Sequence, residues 1–331
     1  MKIMDKHNFF HGIAEELSLG ALTAPAERVT GGYLHEMYKL ETASGKYAVK
    51  LLNPVIMKRP DVFENYRRAE LLEKELCENK IPVVPAMEIN GCKMQCKDGQ
   101  YFYVFHWIEG KALAWDEIKA EHCREAGALL ARIHKIRQVK EPSDIKEICA
   151  DWDFYVTAAD TECREIAGEL EKNRDLLYYC QEQYNSALRL LPTVSCICDG
   201  DMDCKNVLWT DGKPVIIDLE CLDYGNPLSE MFQLGLSWSG GTVCSMDYES
   251  LNAFISAYKK EYGDLNPNWN AIYGIGFSWL DWLEYNVKRA LRIECGSEEE
   301  RKLGIGQVHE TLRRIIYYHT IKDELLKQLS N

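Results

Sequence analysis

Residues 198–220 read CDGDMDCKNVLWTDGKPVIIDLE, and this stretch decides the fold. Two apolar, strand-like runs, Val207-Leu208-Trp209 and Val215-Ile216-Ile217, flank a turn at Asp211-Gly212-Lys213-Pro214. Asp201 stands just before the first run and Asp218 just after the second. Burying a charge without a partner is costly, so this pattern asks for a compensating cation. A loop Asp, an Asn five residues on at Asn206, and a strand-end Asp can converge on one oxygen-lined site. Hard cations such as Mg²⁺ take oxygens of this kind and keep phosphate and water ligands as well. An Asx-capped β-turn is the other reading of such residues, and it is the one that suits Asp211. The three residues Asp201, Asn206 and Asp218 together match a phosphoryl-transfer site: a loop Asp taking a hydroxyl proton, its Asn, and a second metal-binding Asp.

Upstream, residues 28–52 form a strand-rich meander punctuated by Gly31-Gly32 and Ser44-Gly45, with Tyr38/Leu40 and Tyr47/Val49 alternating at period two. Lys50 closes the run Tyr47-Ala48-Val49-Lys50. Asp61 to Asn79 carries Leu71, Leu72, Leu76 and Cys77 at helical spacing and stops at Ile81-Pro82. A strand Lys that meets nucleotide phosphates needs a helix Glu to hold it. Glu70 has the best spacing for that role, with Glu64 and Glu73 as alternatives. Strands are expected near 84–89, 92–96 and 101–107, then a connector through Phe105-His106-Trp107-Ile108-Glu109-Gly110. Beyond it the pattern turns helical: 116–136, two stretches over 152–190, and 228–238, 248–262, 270–293 and 298–330.

The chain has 331 residues, 46% hydrophobic, and no apolar run near the roughly 20 residues that cross a membrane. Its first residues, Met1-Lys2-Ile3-Met4-Asp5-Lys6, lack the apolar centre of a signal peptide, so a cytoplasmic protein is expected. Thirteen scattered cysteines, without zinc spacing at Cys92/Cys96 or Cys196/Cys198, fit reduced thiols. A net charge of −13 argues against nucleic acid as a partner. It suits a cationic small molecule, and equally an ordinary soluble surface.

The chain resembles the aminoglycoside phosphotransferase and choline kinase-like family, which shares the protein-kinase-like fold. The matching residues are Gly31-Gly32 with Lys50, the helix ending in Ile81-Pro82-Val83, and the connector Trp107-Ile108-Glu109-Gly110. Leu129-Leu130-Ala131-Arg132-Ile133-His134, Asp201-x4-Asn206 and Ile217-Asp218 complete the set, in order over about residues 28–238. The resemblance implies an α+β, bilobal fold with a small β-rich N-lobe over 1–105, a hinge at 106–110, and a larger, mainly helical C-lobe over 111–331. It implies that Asp201 is the catalytic base, that Asn206 and Asp218 hold Mg²⁺, and that Lys50 meets the phosphates of ATP or GTP. Gly31 and Gly32 would form the glycine turn, and the backbone of Phe105, His106, Trp107 and Ile108 would meet the purine. The C-terminal helices would build the acceptor pocket, with Asp281, Glu284 and Glu230 as candidates beside Asp151 and Asp153.

Two departures matter. The family's usual His-Gly-Asp reads Asp199-Gly200-Asp201 here, and Asp218 is followed by Leu219-Glu220. Asp199 is expected to brace the loop from behind, and Glu220 to serve as an outer ligand or a loop cap. Lys205 reads as an exposed loop lysine or a phosphoryl contact, His35 as a turn residue, and Trp279, Trp282 and Tyr285 as core. The expected activity is an ATP- or GTP-dependent, Mg²⁺-dependent O-phosphotransferase, acting as monomer or homodimer on an aminoglycoside-like antibiotic or an endogenous hydroxylated metabolite. Asp199 keeps open the alternative of an inactive kinase-fold scaffold. A protein kinase is disfavoured, because Glu220 leads within ten residues to the helix at Leu228, without an Ala-Pro-Glu segment or room for an activation loop.

Overall fold

The computed structural model describes residues 6–29, 34–139, 146–263 and 267–330, so Gly31 and Gly32 lie outside the described residues. The chain divides into two compact units, Met1–Ala112 with Lys205–Cys221, and Leu113–Cys204 with Leu222–Asn331.

The first unit is built on an antiparallel five-stranded sheet in the order Glu27–Val29, Glu36–Thr42, Gly45–Leu51, Gln100–His106, Gln95–Lys97. The period-two alternation puts Tyr38, Leu40, Tyr47 and Val49 on one face, where Phe9, Phe10 and Ile13 of the Lys6–Glu16 helix cover them. Each such fully buried side chain contributes about 1.5–3 kcal/mol relative to exposure. Lys50, one residue on, projects from the opposite face, level with Tyr103 on the neighbouring strand. The Val62–Glu78 helix buries Tyr66, Ala69, Leu72, Glu73 and Leu76. Leu71 and Cys77, expected on that face, are instead exposed.

The expected strand at 84–89 is reduced to isolated bridges, Ala86 to Phe105 and Ile89 to Cys92. Pro85 explains it, because a proline inside the run cannot donate to a ladder. The 207–217 hairpin forms as read: Val207–Thr210 pairs with Lys213–Ile216 across Asp211 (φ 51°) and Gly212 (φ 74°). Both turn residues are left-handed, the two-residue turn whose twist matches a hairpin. The hairpin adds to Lys111–Ala112, and the Ile216 carbonyl accepts the Val84 amide at 2.9 Å. These backbone ladders put 205–221 in the first unit, whereas the sequence boundaries assigned all of 111–331 to the second lobe.

The second unit is mainly helical. Ala120–Ile136 packs along Tyr248–Tyr262, and at Gly127 a Cβ would stand 2.3 Å from the Phe254 carbonyl oxygen, so glycine lets the helices close. Asp247 caps the start of Tyr248–Tyr262 by accepting the Glu249 amide. The stretch read as one helix over 270–293 is broken: a short helix at Trp269–Ile272, a 3₁₀ segment at Tyr273–Ser278, then Trp279–Ala290. Gly274 sits against the Gln183 carbonyl, where a Cβ would come within 2.0 Å, and that close approach accounts for the irregular turn. A small sheet orders Asp223–Gly225, Ser195–Cys198 and Gln138–Val139. No helix among the described residues is long and apolar enough to cross a membrane.

Candidate active site

In the first unit the hairpin sets two of the predicted residues side by side. The Asn206 carbonyl accepts the Ile217 amide at 2.9 Å, which extends the ladder by one step beyond Val207 and Ile216. Asn206 is buried, and Asp218 leaves the strand at φ 65°. That left-handed conformation is uncommon for residues other than glycine, and Asp and Asn adopt it most readily. Both side chains offer hard oxygen donors of the type Mg²⁺ prefers.

Lys50 is 4% exposed, and its ammonium lies 2.5 Å from Asp218 Oδ1 and 2.5 Å from Glu220 Oε2. Burial lowers the ammonium's affinity for its proton, but the Asp218 and Glu220 carboxylates outweigh it and the pKa is raised. Glu220 shows the reciprocal effect. Burial favours its neutral form, yet Lys50 and His35 hold it well below the usual carboxylate range. The expected Lys50–Glu70 pair is therefore corrected. Glu70 accepts the Tyr103 hydroxyl at 2.8 Å. Glu73 is taken by Lys93 and the Ala86 amide, and Glu64 pairs with Arg67 at the surface. The carboxylates on Lys50 come from the end of the hairpin, not from the helix.

His35, read as a turn residue, is part of this cluster. Its Nδ1 accepts the Asn53 amide at 2.9 Å, so the other ring nitrogen carries the hydrogen. Nε2 stands 3.1 Å from Glu220 Oε1 and 3.3 Å from the Tyr66 hydroxyl. The only sequence signal for this was the i, i+2 spacing of Asp218 and Glu220, which does not reveal a histidine far upstream.

The connector residues extend the strand edge. Phe105 pairs with Ala48 and His106 with Tyr47, and the Trp107 amide donates to the Lys46 carbonyl at 3.0 Å. Ile108 is half-buried, as is Trp107, whose ring lies 5.1 Å from the Lys39 ammonium.

In the second unit, the loop bearing Asp201 is held from several sides. Asp199 is fully buried and its Oδ1 accepts the Asp201 amide at 3.2 Å, the bracing role expected of it. The Met202 carbonyl accepts the Trp238 indole at 2.9 Å, and Asp203 accepts the Ser237 hydroxyl. Asp201 itself is half-buried. Glu230 is not an acceptor-binding residue: it is 7% exposed, and its two oxygens take the Gly200 amide and His134 Nε2, each at 2.6 Å. One turn into the Pro227–Trp238 helix, it faces inward because every residue of that helix but Gln233 is buried.

Of the remaining acceptor candidates, Asp281 is exposed, while Glu284 accepts the Tyr155 hydroxyl at 2.7 Å and pairs with Lys288 at 2.9 Å. Asp151 caps the Trp152–Glu162 helix by accepting the Phe154 amide. Asp153 pairs with Arg174. Lys205, in the first unit, is exposed. Trp279, Trp282 and Tyr285, read as core, are only partly buried, and Trp282 donates to Gln307 at 3.0 Å.

The sequence profile of the phosphotransferase enzyme family matches residues 25–275, about three quarters of the chain. The chain belongs to that family. It is a small-molecule kinase, a phosphotransferase with an alcohol group as acceptor. No curated protein matches it in sequence. Solved structures share the protein-kinase-like fold. A spectinomycin phosphotransferase in complex with ADP and spectinomycin is 12% identical, with TM-score 0.68, over 96% of this chain and 99% of that one. An ethanolamine kinase from Plasmodium vivax is 16% identical, with TM-score 0.59, over 88% and 83%. An amicoumacin kinase in complex with AMP-PNP, Ca²⁺ and Ami is 13% identical, with TM-score 0.58, over 94% and 96%.

Proposed function

We propose that this kinase uses ATP or GTP with Mg²⁺ to phosphorylate a hydroxylated small molecule, either an aminoglycoside-like antibiotic or an endogenous metabolite. The observation that carries the nucleotide reading is the buried Lys50 ammonium on the Asp218 carboxylate, beside an Asn206 fixed one ladder step away. A cation already stands on that carboxylate, and the donor set is all oxygen, so Asn206 and Asp218 fit a hard divalent ion. When bound, Mg²⁺ supplies charge neutralisation to the phosphates. Lys50 offers its ammonium to the same phosphates, and the Phe105–Ile108 backbone receives the purine. Asp201 orients the acceptor hydroxyl and takes its proton. The alcohol oxygen bonds to the γ-phosphorus, the bridging P–O bond breaks, and the nucleoside diphosphate leaves. Positioning and charge stabilisation supply most of the rate. Asp281 and Glu284 suit an acceptor bearing amines, and the enzyme works in the cytoplasm as a monomer or homodimer.

A phosphate-transfer screen tests this directly, pairing ATP and GTP with aminoglycosides, other antibiotics and hydroxylated metabolites. Phosphorylation of one alcohol, with loss of activity on chelation of Mg²⁺, is expected. Nucleotide binding without transfer to any acceptor class would favour the scaffold alternative instead.

The Lys50 cluster adds a second expectation. Breaking a buried pair by removing one partner is strongly destabilising, of order 3–5 kcal/mol, whereas partly solvated pairs contribute less. Glu220→Gln should therefore weaken nucleotide binding by about tenfold or more, as Lys50 loses its anchor. Glu70→Gln, which leaves both Lys50 contacts in place, should have the smaller effect. Calorimetric titration with each nucleotide decides between them, and the reverse order would return Glu70 to the role of Lys50 partner.

A further inference from the structure

We propose that Arg289 is a carboxylate-binding residue, so that the acceptor is an alcohol carrying a carboxylate for Arg289 and an amine for Asp281, rather than a polycationic sugar. The proposal rests on the assignment of the chain as a kinase of a hydroxylated small molecule. Arg289 lies on the Trp279–Ala290 helix and is 2% exposed. Its guanidinium makes one long hydrogen bond, from Nη1 to Asn286 Oδ1 at 3.4 Å, and stands 5.5 Å from the centre of the Tyr285 ring. No carboxylate and no carbonyl among the described residues accepts its remaining N–H groups. A guanidinium carries five donors and a full charge, and burying these without partners is costly. Other deeply buried charges are matched: Lys50 has Asp218 and Glu220, and Glu73 has Lys93. The position of Arg289 in the last turn puts it at the favourable end of the helix dipole. That does not satisfy its donors, because the fork reaches back toward Tyr285 and Asn286, away from the terminal carbonyls.

The seat of the guanidinium is built by its neighbours. Asn286 is completely buried, and its amide donates to the Trp282 carbonyl at 2.8 Å, which turns its oxygen toward the arginine. Across the helix pair, a Cβ at Gly304 would stand 2.8 Å from the Arg289 Cβ, so glycine lets the Glu298–Thr320 helix close over the arginine stem. A planar fork beside a neutral amide and an aromatic face fits one carboxylate, held through two parallel N–H···O bonds. A phosphate dianion fits less well, since Asp281 and Glu284 stand on the same helix and would repel it. Residues four apart are neighbours on a helix surface, so Asp281, Tyr285 and Arg289 form one row. The row offers an anion, an aromatic face and a cation in turn. A zwitterion matches it, with its ammonium at Asp281 and its carboxylate at Arg289.

The test compares matched acceptors on the full chain: L-homoserine, L-threonine and 5-hydroxy-L-lysine, each against its carboxamide, with kanamycin as a polycationic alcohol lacking a carboxylate. Transfer to one of the acids is expected, with its carboxamide at least about 30-fold lower in kcat/KM, the effect of truncating one partner of a buried charge pair. Arg289→Met keeps the stem and removes the charge. It should lower kcat/KM for the acid by a similar factor, mainly through KM, and erase the preference for acid over carboxamide. If Arg289→Met does not fold, Arg289→Lys decides: it keeps the charge but loses the fork, and should raise KM several-fold for the acid alone. Thermal unfolding gives a readout independent of turnover. A ligand of the folded state raises Tm by mass action, so acetate, against chloride at equal ionic strength, should raise the Tm of wild type and not that of Arg289→Met. Equal losses for acid and carboxamide, stabilisation by inorganic phosphate but not by acetate, or transfer confined to acceptors without a carboxylate would overturn the proposal and leave the kinase reading standing. Nucleotide binding without transfer to any alcohol would overturn the kinase reading, and the acceptor assignment with it.

Discussion

Asp201→Asn is expected to lower turnover by about 10²–10⁴-fold, the range general-base catalysis supplies, with nucleotide affinity changed by no more than a few-fold. The substitution keeps the shape of the side chain and removes its ability to take a proton. The backbone at this position is held by groups other than the Asp201 side chain: the Asp199 carboxylate on its own amide, Glu230 on the Gly200 amide, and Trp238 on the Met202 carbonyl. The variant should therefore fold with the loop in place. An interaction made only in the transition state lowers kcat and kcat/KM together and leaves ground-state binding alone. Turnover with the acceptor found by screening, alongside calorimetric nucleotide titration, separates the two. A variant with near-normal turnover would sink the assignment.

Asp218→Ala should remove the strengthening of nucleotide binding by Mg²⁺. Few protein groups hold such an ion, since Mg²⁺ keeps several waters and substrate phosphates, so one lost carboxylate is a large share of the site. Asp218 is also one of two carboxylates on Lys50, so the variant leaves that ammonium with Glu220 alone. The left-handed backbone at Asp218 complicates alanine, which tolerates φ 65° poorly. Asp218→Asn is the better companion variant, because Asn adopts that conformation readily yet lacks the charge. Loss of the metal effect in both variants identifies the carboxylate as the cause. Equal strengthening by Mg²⁺ in wild type and both variants would place the ligand elsewhere.

How much of this was readable from the chain depends on the range of each signal. The 207–217 hairpin was, because a left-handed Asp211-Gly212 turn between two apolar runs specifies its own pairing. So was the helix at 248–262, with a capping Asp247 before it and Gly263 after it. The first sheet followed from strict alternation at Tyr38/Leu40 and Tyr47/Val49, since period two assigns a face without knowledge of the partner. The five glutamates on the 62–78 helix were a different matter: sequence spacing leaves several within reach of a strand lysine. The packing that spends Glu73 on Lys93 and Glu70 on Tyr103 decided it, and delivered Glu220 to Lys50 from 170 positions away along the chain. Glu230 was misread for the same reason. A carboxylate in the first turn of a helix looks solvent-facing until the tertiary fold sets His134, 96 residues earlier, against it. Periodicity, caps and turn dihedrals are local properties of the chain. Which buried charge meets which is settled only when distant segments close around it and desolvation leaves no charge without a partner.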